Sequence, residues 1–152
     1  MTAPLMDQRD LEFMLYELFD AESLTSRERY ADHNRETFDA AISTSRTVAE
    51  KYFLPIRQKV DTHQPTFDGE KVQMIPEIKE ALDAVVAAGL ASPSADYELG
   101  GMQLPALVAS VSGAYLSAAA SMTMGYIGLT NANANLINAH GTEQQKQKWL
   151  EP

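Results

Sequence analysis

From Leu99 to Thr142 the chain carries no Asp, Glu, Lys or Arg. A helix apolar all round is poorly solvated, so such a stretch must be buried in protein or in lipid. Its length alone would permit a membrane span. Pro105, the amides Asn131, Asn133, Asn135 and Asn138, and a modest number of large aliphatics argue against one. The flank argues the same way, since Tyr97 is followed by Glu98 and not by a basic cluster. A buried helical hairpin in a soluble bundle explains the same residues. Pro105 starts its first arm, rich in Ala, Ser and Gly, which runs to about Ala119. Ser121 is placed to cap a second arm from Met122 to Ala139, with Gly141 as its C′ stop.

The rest of the chain supplies amphipathic helices to cover this hairpin. Leu11, Met14, Leu15 and Leu18 follow an i, i+3, i+4, i+7 pattern, predicting a short helix from about Asp7 to Phe19 with Asp7 as N-cap. Residues 20–33 read as a charged linker with room for one helical turn. Phe38, Ile42, Ser45, Ala49, Tyr52, Ile56 and Val60 then recur at steps of three and four, with Asn34 as cap. Pro55 falls inside this pattern and predicts a kinked helix. Residues 62–74 lack periodicity and carry the turn signals Pro65 and Asp68-Gly69. Pro76 opens a further helix with Ile78, Leu82, Val85 and Val86 as its apolar face, closed by Gly89 and Leu90. Residues 91–104 form a loop, and Thr142 caps a last helix through Leu150. No convincing strand is present, so the expected fold is all-α, an orthogonal or up-down bundle of about five to six helices.

Composition narrows the function classes. The net charge is −9, from 21 acidic against 12 basic residues, and no basic run forms a patch for nucleic acid. With no cysteine there is no disulfide framework, CxxC pair or thiolate zinc site. The N-terminus lacks the regions of a signal peptide, which predicts a cytoplasmic protein. His33, His63 and His140 lack metal-ligand spacing and read as solvent-facing or locally hydrogen-bonded, so no metal site is expected. No nucleophile elbow, P-loop or dinucleotide fingerprint occurs, and Gly100-Gly101 reads as a turn. The pairs Glu36 with Asp39 and Glu77 with Glu80 read as solvated faces. Asn131, Asn135 and Asn138 share one helical face, where they bond neighbouring backbone or another chain. Local physics stops at a helical domain without a self-contained active site.

The order of features resembles the N-terminal helical domain of the acyl-CoA dehydrogenase family. Ala88-Gly89-Leu90 ends one helix, and Tyr97-Glu98-Leu99-Gly100-Gly101 is similar to the family's Glu-Tyr-Gly-Gly loop. After the uncharged helix pair, the run Gly141 to Leu150 resembles the family's Gly-x-x-x-Gln-Lys-x-Lys-Tyr-Leu. The stretch from Asp10 through Phe19 resembles the extra segment of a long subgroup that includes 3-methylmercaptopropionyl-CoA dehydrogenases. One departure is that Ala114-Tyr115 precedes Leu116 where the family commonly has a Glu-Glu-Leu run.

The resemblance implies residues 1–33 as an N-terminal extension with a short helix and 34–152 as a helical domain, truncated before a flavin-binding β-barrel domain. It implies an FAD-dependent α,β-dehydrogenation of an acyl-CoA thioester by the full-length enzyme, an oxidoreductase with an electron-transfer acceptor and a homo-oligomeric assembly. No catalytic residue and no bound FAD are expected in this fragment. Carried over by position, Met124, Gly125, Gly128 and Leu129 would line the acyl pocket, with Gly128 either leaving room for substrate or allowing close helix packing. The other reading is a stand-alone helical interaction module.

Overall fold

The computed structural model describes residues 5–150. The fold is all-α apart from one small hairpin. Helix α1 (Gln8–Glu12) begins at Asp7, whose side chain accepts from the Asp10 amide at 3.1 Å, and runs on into a π-helical segment, Phe13–Leu18. The wider turn advances each residue by less than an α-turn and shifts the apolar stripe. Leu15 is therefore buried, but Met14 and Leu18 stand exposed, against the pattern in the sequence. The charged linker holds two 3₁₀ segments, Ala21–Ser26 and Glu28–Tyr30.

Helix α2 (Arg35–Val48) opens with a full capping box between Asn34 and Thr37, which satisfies two backbone N–H groups reciprocally. It continues through a π turn (Ala49–Phe53) and a 3₁₀ turn (Leu54–Ile56) into α3 (Arg57–Thr62). Pro55 causes this sequence of turns. Proline lacks an N–H, and its ring crowds the preceding turn, so the helix widens before it and tightens around it. Phe38, Ser45, Ala49 and Ile56 of the expected face are buried, but the π turn moves the face by one residue within it, so that Phe53 is fully buried where the spacing predicts Tyr52, and Tyr52 is half-buried.

Residues 62–74 contain a correction to the strand-free expectation. Thr66–Phe67 (β1) and Val72–Gln73 (β2) pair antiparallel, in the register Thr66 with Gln73 and Phe67 with Val72. Asp68 organises the turn, accepting from the amides of Glu70 and Lys71 at 2.8 Å and from the Gln73 side chain at 2.7 Å, while Gly69 takes φ +106°. Two-residue strands leave no alternation to read. Helix α4 (Pro76–Ala87) ends in a Schellman motif, with Gly89 at φ +72° and the Leu90 amide donating to the Val85 carbonyl at 3.0 Å. Ile78, Ala81 and Val85 face the core, whereas Val86 is exposed.

The uncharged stretch forms α5 (Ala106–His140), broken at Ala120, whose φ −157° and ψ 86° are extended. Two arms result, an inner arm over 106–119 and an outer arm over 121–140. The cap position falls on Ala120, and Ser121 makes no capping hydrogen bond among the described residues. The inner arm is core: Val108, Ser112, Tyr115, Leu116 and Ala119 pack against α2, its π turn and α4. Each large apolar side chain buried this way contributes about 1.5–3 kcal/mol. The expectation that both arms are buried fails for the outer one, where Met122, Leu129 and Leu136 are exposed and only Thr123 and Ile127 are fully covered. The helix as a whole is long and apolar enough to cross a membrane by length and composition, but its inner half is occupied as the core of this bundle.

Gly141 is not left-handed, with φ −72°; it is glycine because a Cβ there would lie 2.5 Å from the Ile137 carbonyl oxygen. Helix α6 (Glu143–Trp149) starts at Thr142 with a second capping box, shared with Gln145.

Candidate functional site

The arms of α5 diverge from an elbow at which Ala119, Ala120 and Thr123 are buried. The groove between them has a volume of about 820 Å³. Its inner wall is of small residues, including Ala109, Ser110 and Gly113, and its outer wall carries Asn131, Asn135 and Asn138. The loop 90–96 lies along one side, and Trp149 with Leu150 closes the far end.

Asn131 is the polar tie of this groove. Its Nδ2 donates to the Ala91 carbonyl at 2.5 Å, and its Oδ1 accepts from the Ser92 hydroxyl at 2.9 Å. Asn133 turns away and donates to the Leu129 carbonyl of its own helix at 3.1 Å. A second tie holds the outer arm to the hairpin strand's end, where the Tyr126 hydroxyl donates to Met74 Sδ at 3.0 Å.

The four residues placed on the acyl-pocket wall do not converge on one cavity of this chain. Met124 is half-buried, packs on the core and lines the inter-arm groove. Gly125, Gly128 and Leu129 are exposed. A Cβ built on Gly125 or Gly128 would meet nothing within 4 Å, so close packing among the described residues is not the reason for either glycine.

Two acids taken for solvated faces have assigned partners, and no signal in the local pattern announced them. Asp39 accepts from the Tyr16 hydroxyl at 2.6 Å, across from the N-terminal segment. Burial, and then this hydrogen bond, push the Tyr16 phenol well above its ordinary range, while the Arg35 guanidinium stacks 4.0 Å from the ring centroid. A cavity of about 190 Å³ lies beside them, lined also by Glu12, Arg46 and Tyr115. Glu77 pairs with Lys59, joining α4 to α3, and this hydrogen bond holds its carboxyl below the usual range. The histidines follow expectation: His33 Nδ1 lies 3.3 Å from the Thr37 hydroxyl, His63 Nδ1 bonds near its own helix end, and His140 is exposed. Among the described residues, no cluster of His, Asp and Glu could hold a metal ion.

The loop carrying the Gly-Gly pair is built by backbone geometry. Tyr97–Leu99 makes a 3₁₀ turn, Gly100 closes it at φ +74°, and a Cβ on Gly101 would lie 2.1 Å from the Ala95 carbonyl oxygen. No side chain fits there, so the turn requires glycine at that position. Residues 35–152 match the sequence model of the acyl-CoA dehydrogenase, N-terminal domain family. The chain belongs to the acyl-CoA dehydrogenase family. No curated protein matches the chain. At the place of the family's acidic run, Ala114 is half-buried and Tyr115 is buried in the core beside Leu116. Burial pushes the Tyr115 phenol up, and a carboxylate pair there would lose its hydration.

Proposed function

We propose that this chain is the N-terminal α-domain of an FAD-dependent acyl-CoA dehydrogenase. Its outer arm forms one wall of the cleft that takes the acyl chain of an acyl-CoA thioester. The observation carrying the reading is the pair of open glycines: Gly125 and Gly128 lie on an uncharged helix, beside exposed Leu129, with free space above them. Glycine costs helix stability, about 0.5–1 kcal/mol each, so two of them in an exposed helix interior call for a reason outside the fold. Room for a substrate or for a neighbouring domain is such a reason.

In the full-length enzyme the chemistry that FAD would supply is oxidation of the thioester's α,β carbon–carbon bond, with an electron-transfer acceptor as the final oxidant. The described residues do not make a flavin site by themselves, because this face has no opposing wall and its one phenol, Tyr126, is committed to Met74. No step of flavin chemistry is therefore assigned to them. The domain's share is to position the acyl chain and exclude water. Residues 1–33 are proposed as an extension of the kind found in the long subgroup including 3-methylmercaptopropionyl-CoA dehydrogenases; the burial of Leu15 and the Tyr16–Asp39 bond support its packing on the domain and do not bear on the subgroup. Residues 34–152 form the helical domain proper, in a cytoplasmic homo-oligomer.

The test is a specificity measurement on the enzyme that contains this domain. Gly128→Phe should lower kcat/KM for long acyl chains by tenfold or more while sparing short ones. Equal kcat/KM ratios for wild type and variant across chain lengths would overturn the wall assignment. The 152-residue chain purified alone should be colourless, and stoichiometric yellow flavin absorbance would contradict the division of labour proposed here.

A further inference from the structure

The N-terminal segment meets α2 along a front that leaves a cavity of about 190 Å³, far from the outward face assigned to the acyl chain. Leu11 and Leu15 line it from α1 and its π turn, Ile42 lines it from α2, and Tyr115 of the inner arm completes the lining. Polar ties stand on either side. Gln8 Nε2 donates to Glu12 at 2.8 Å, and Arg46 Nη1 donates to Gln8 Oε1 at 3.3 Å. On the other side the Tyr16 hydroxyl donates to Asp39. These ties set the distance between α1 and α2, so the space is already formed and a ligand needs little reorganisation to enter it.

The Tyr115 hydroxyl gives the cavity its chemistry. The residue is 2% exposed, yet its hydroxyl makes no hydrogen bond among the described residues. A buried hydroxyl without a partner is costly, and a ligand that supplies one offsets that cost on binding. The phenol feels charges of both signs, from Arg46 and from Glu50, Asp7 and Glu12. Arg46 is paired with Glu50 at 2.8 Å, and Arg35 lies 3.7 Å from Asp39. A carboxylate entering here would meet Glu12 and Asp39, and an ammonium would meet Arg46, so neither sign of charge is favoured and a charged ligand would lose hydration without a committed counter-ion. An apolar cavity of about 150 Å³ holds a benzene ring, so the volume here suits such a ring with one further substituent.

We infer that this cavity binds a small neutral molecule with one hydroxyl, which pairs with the Tyr115 hydroxyl, and with an apolar body the size of a single ring, which lies against Leu11, Leu15 and Ile42. Because its walls come from both the N-terminal segment and the helical domain, an occupant clamps the one to the other.

The experiment is a titration of the isotopically labelled 152-residue chain with p-cresol, followed by amide chemical shifts. Shifts should concentrate in residues 8–16 and 39–46, with half-saturation at about 1 mM or below. Toluene, which lacks the hydroxyl, should bind about tenfold more weakly, the loss expected for one hydrogen bond. Benzylamine and benzoate, a cation and an anion of similar size, should also bind at least about tenfold more weakly than p-cresol. Tyr115→Phe should bring p-cresol down to the affinity of toluene while leaving toluene within twofold, which would show that the cavity survives the substitution. Tyr97→Phe, on an exposed turn, should change neither affinity. Amide exchange at Leu11 and Leu15 should slow when p-cresol is bound. On the unsubstituted chain, the absence of a saturable shift, shifts scattered away from the cavity, equal affinities for p-cresol and toluene, or tighter binding of either charged probe would each overturn the inference. So would p-cresol binding that Tyr115→Phe leaves unchanged. None of these results touches the acyl-wall assignment, which rests on Gly125 and Gly128 of the outer arm.

Discussion

The inner and outer arms of α5 both lack Asp, Glu, Lys and Arg and meet at one residue, yet they do opposite work. The inner arm buries Val108, Tyr115, Leu116 and Ala119, whereas the outer arm leaves Met122, Leu129 and Leu136 in solvent. Absence of charge therefore marks two different things in this chain. In the inner arm it marks the core of the bundle. In the outer arm it marks exposed apolar surface, the face proposed above as one wall of an acyl cleft.

The largest expected effect contrasts one leucine from each arm. Leu116 is 1% exposed and Leu129 is 71% exposed. Leu116→Ala should destabilise the chain by about 2–5 kcal/mol through lost burial and a residual cavity. Leu129→Ala should change stability by no more than about 0.5 kcal/mol. Urea denaturation of the two variants measures both. Similar losses would break the comparison and show that the outer arm is part of the core in solution.

How much of this contrast the sequence carried depends on the range of the interactions involved. Caps at Asp7, Asn34 and Thr142 were legible because each joins residues three apart. The Schellman stop at Gly89-Leu90 and the departure from regular α-helix around Pro55 are legible for the same local reason. The family resemblance, too, stood on the short runs around Gly101 and Gly141. The exposure of Leu129 was not legible, because periodicity reports that a face is apolar and not what lies opposite it. The elbow was placed one residue late, at Ser121, since an alanine in extended conformation leaves no trace in a helix-forming sequence. The partners of Asp39 and Glu77, 23 and 18 residues away, needed the fold. Of the pocket-wall residues, only their places on the outer arm were readable, and the empty space above Gly125 and Gly128 was not.

A smaller effect is expected at the tie between the outer arm and the loop. Asn131→Ala removes both hydrogen bonds and leaves the Ala91 carbonyl without its partner, at a cost of roughly 1–2 kcal/mol. The loss should be local. Amide exchange should quicken in the outer arm beyond Ile127 and in residues 91–92, with little change at Val108 or Leu116. Uniform acceleration through both arms would show that the elbow at Ala120 transmits the disturbance, and the arms would then count as one cooperative unit.

The smallest expected effect is a pH dependence confined to the outer arm's second support, the hairpin. Asp68 is fully exposed, but its carboxylate accepts from the Lys71 and Glu70 amides and from Gln73, which holds its pKa at about 2 against an ordinary 3.8. A carboxyl whose folded pKa is depressed contributes stability that is fully present above the unfolded value and is lost as pH falls through the folded one. The turn should thus be intact above pH 3.8 and loosen as pH approaches 2. Met74, the residue after β2, receives the Tyr126 hydroxyl, so loosening the hairpin weakens a tie of the outer arm and none of the inner. Amide shifts of Glu70 and Lys71 followed against pH should report the transition, and Asp68→Asn should abolish it, since an amide does not titrate in this range. Exchange at Tyr126 should rise in the same window while exchange at Tyr115 stays unchanged. If both rise together, acid is acting on the bundle as a whole, and the hairpin is not a separate support of the outer arm.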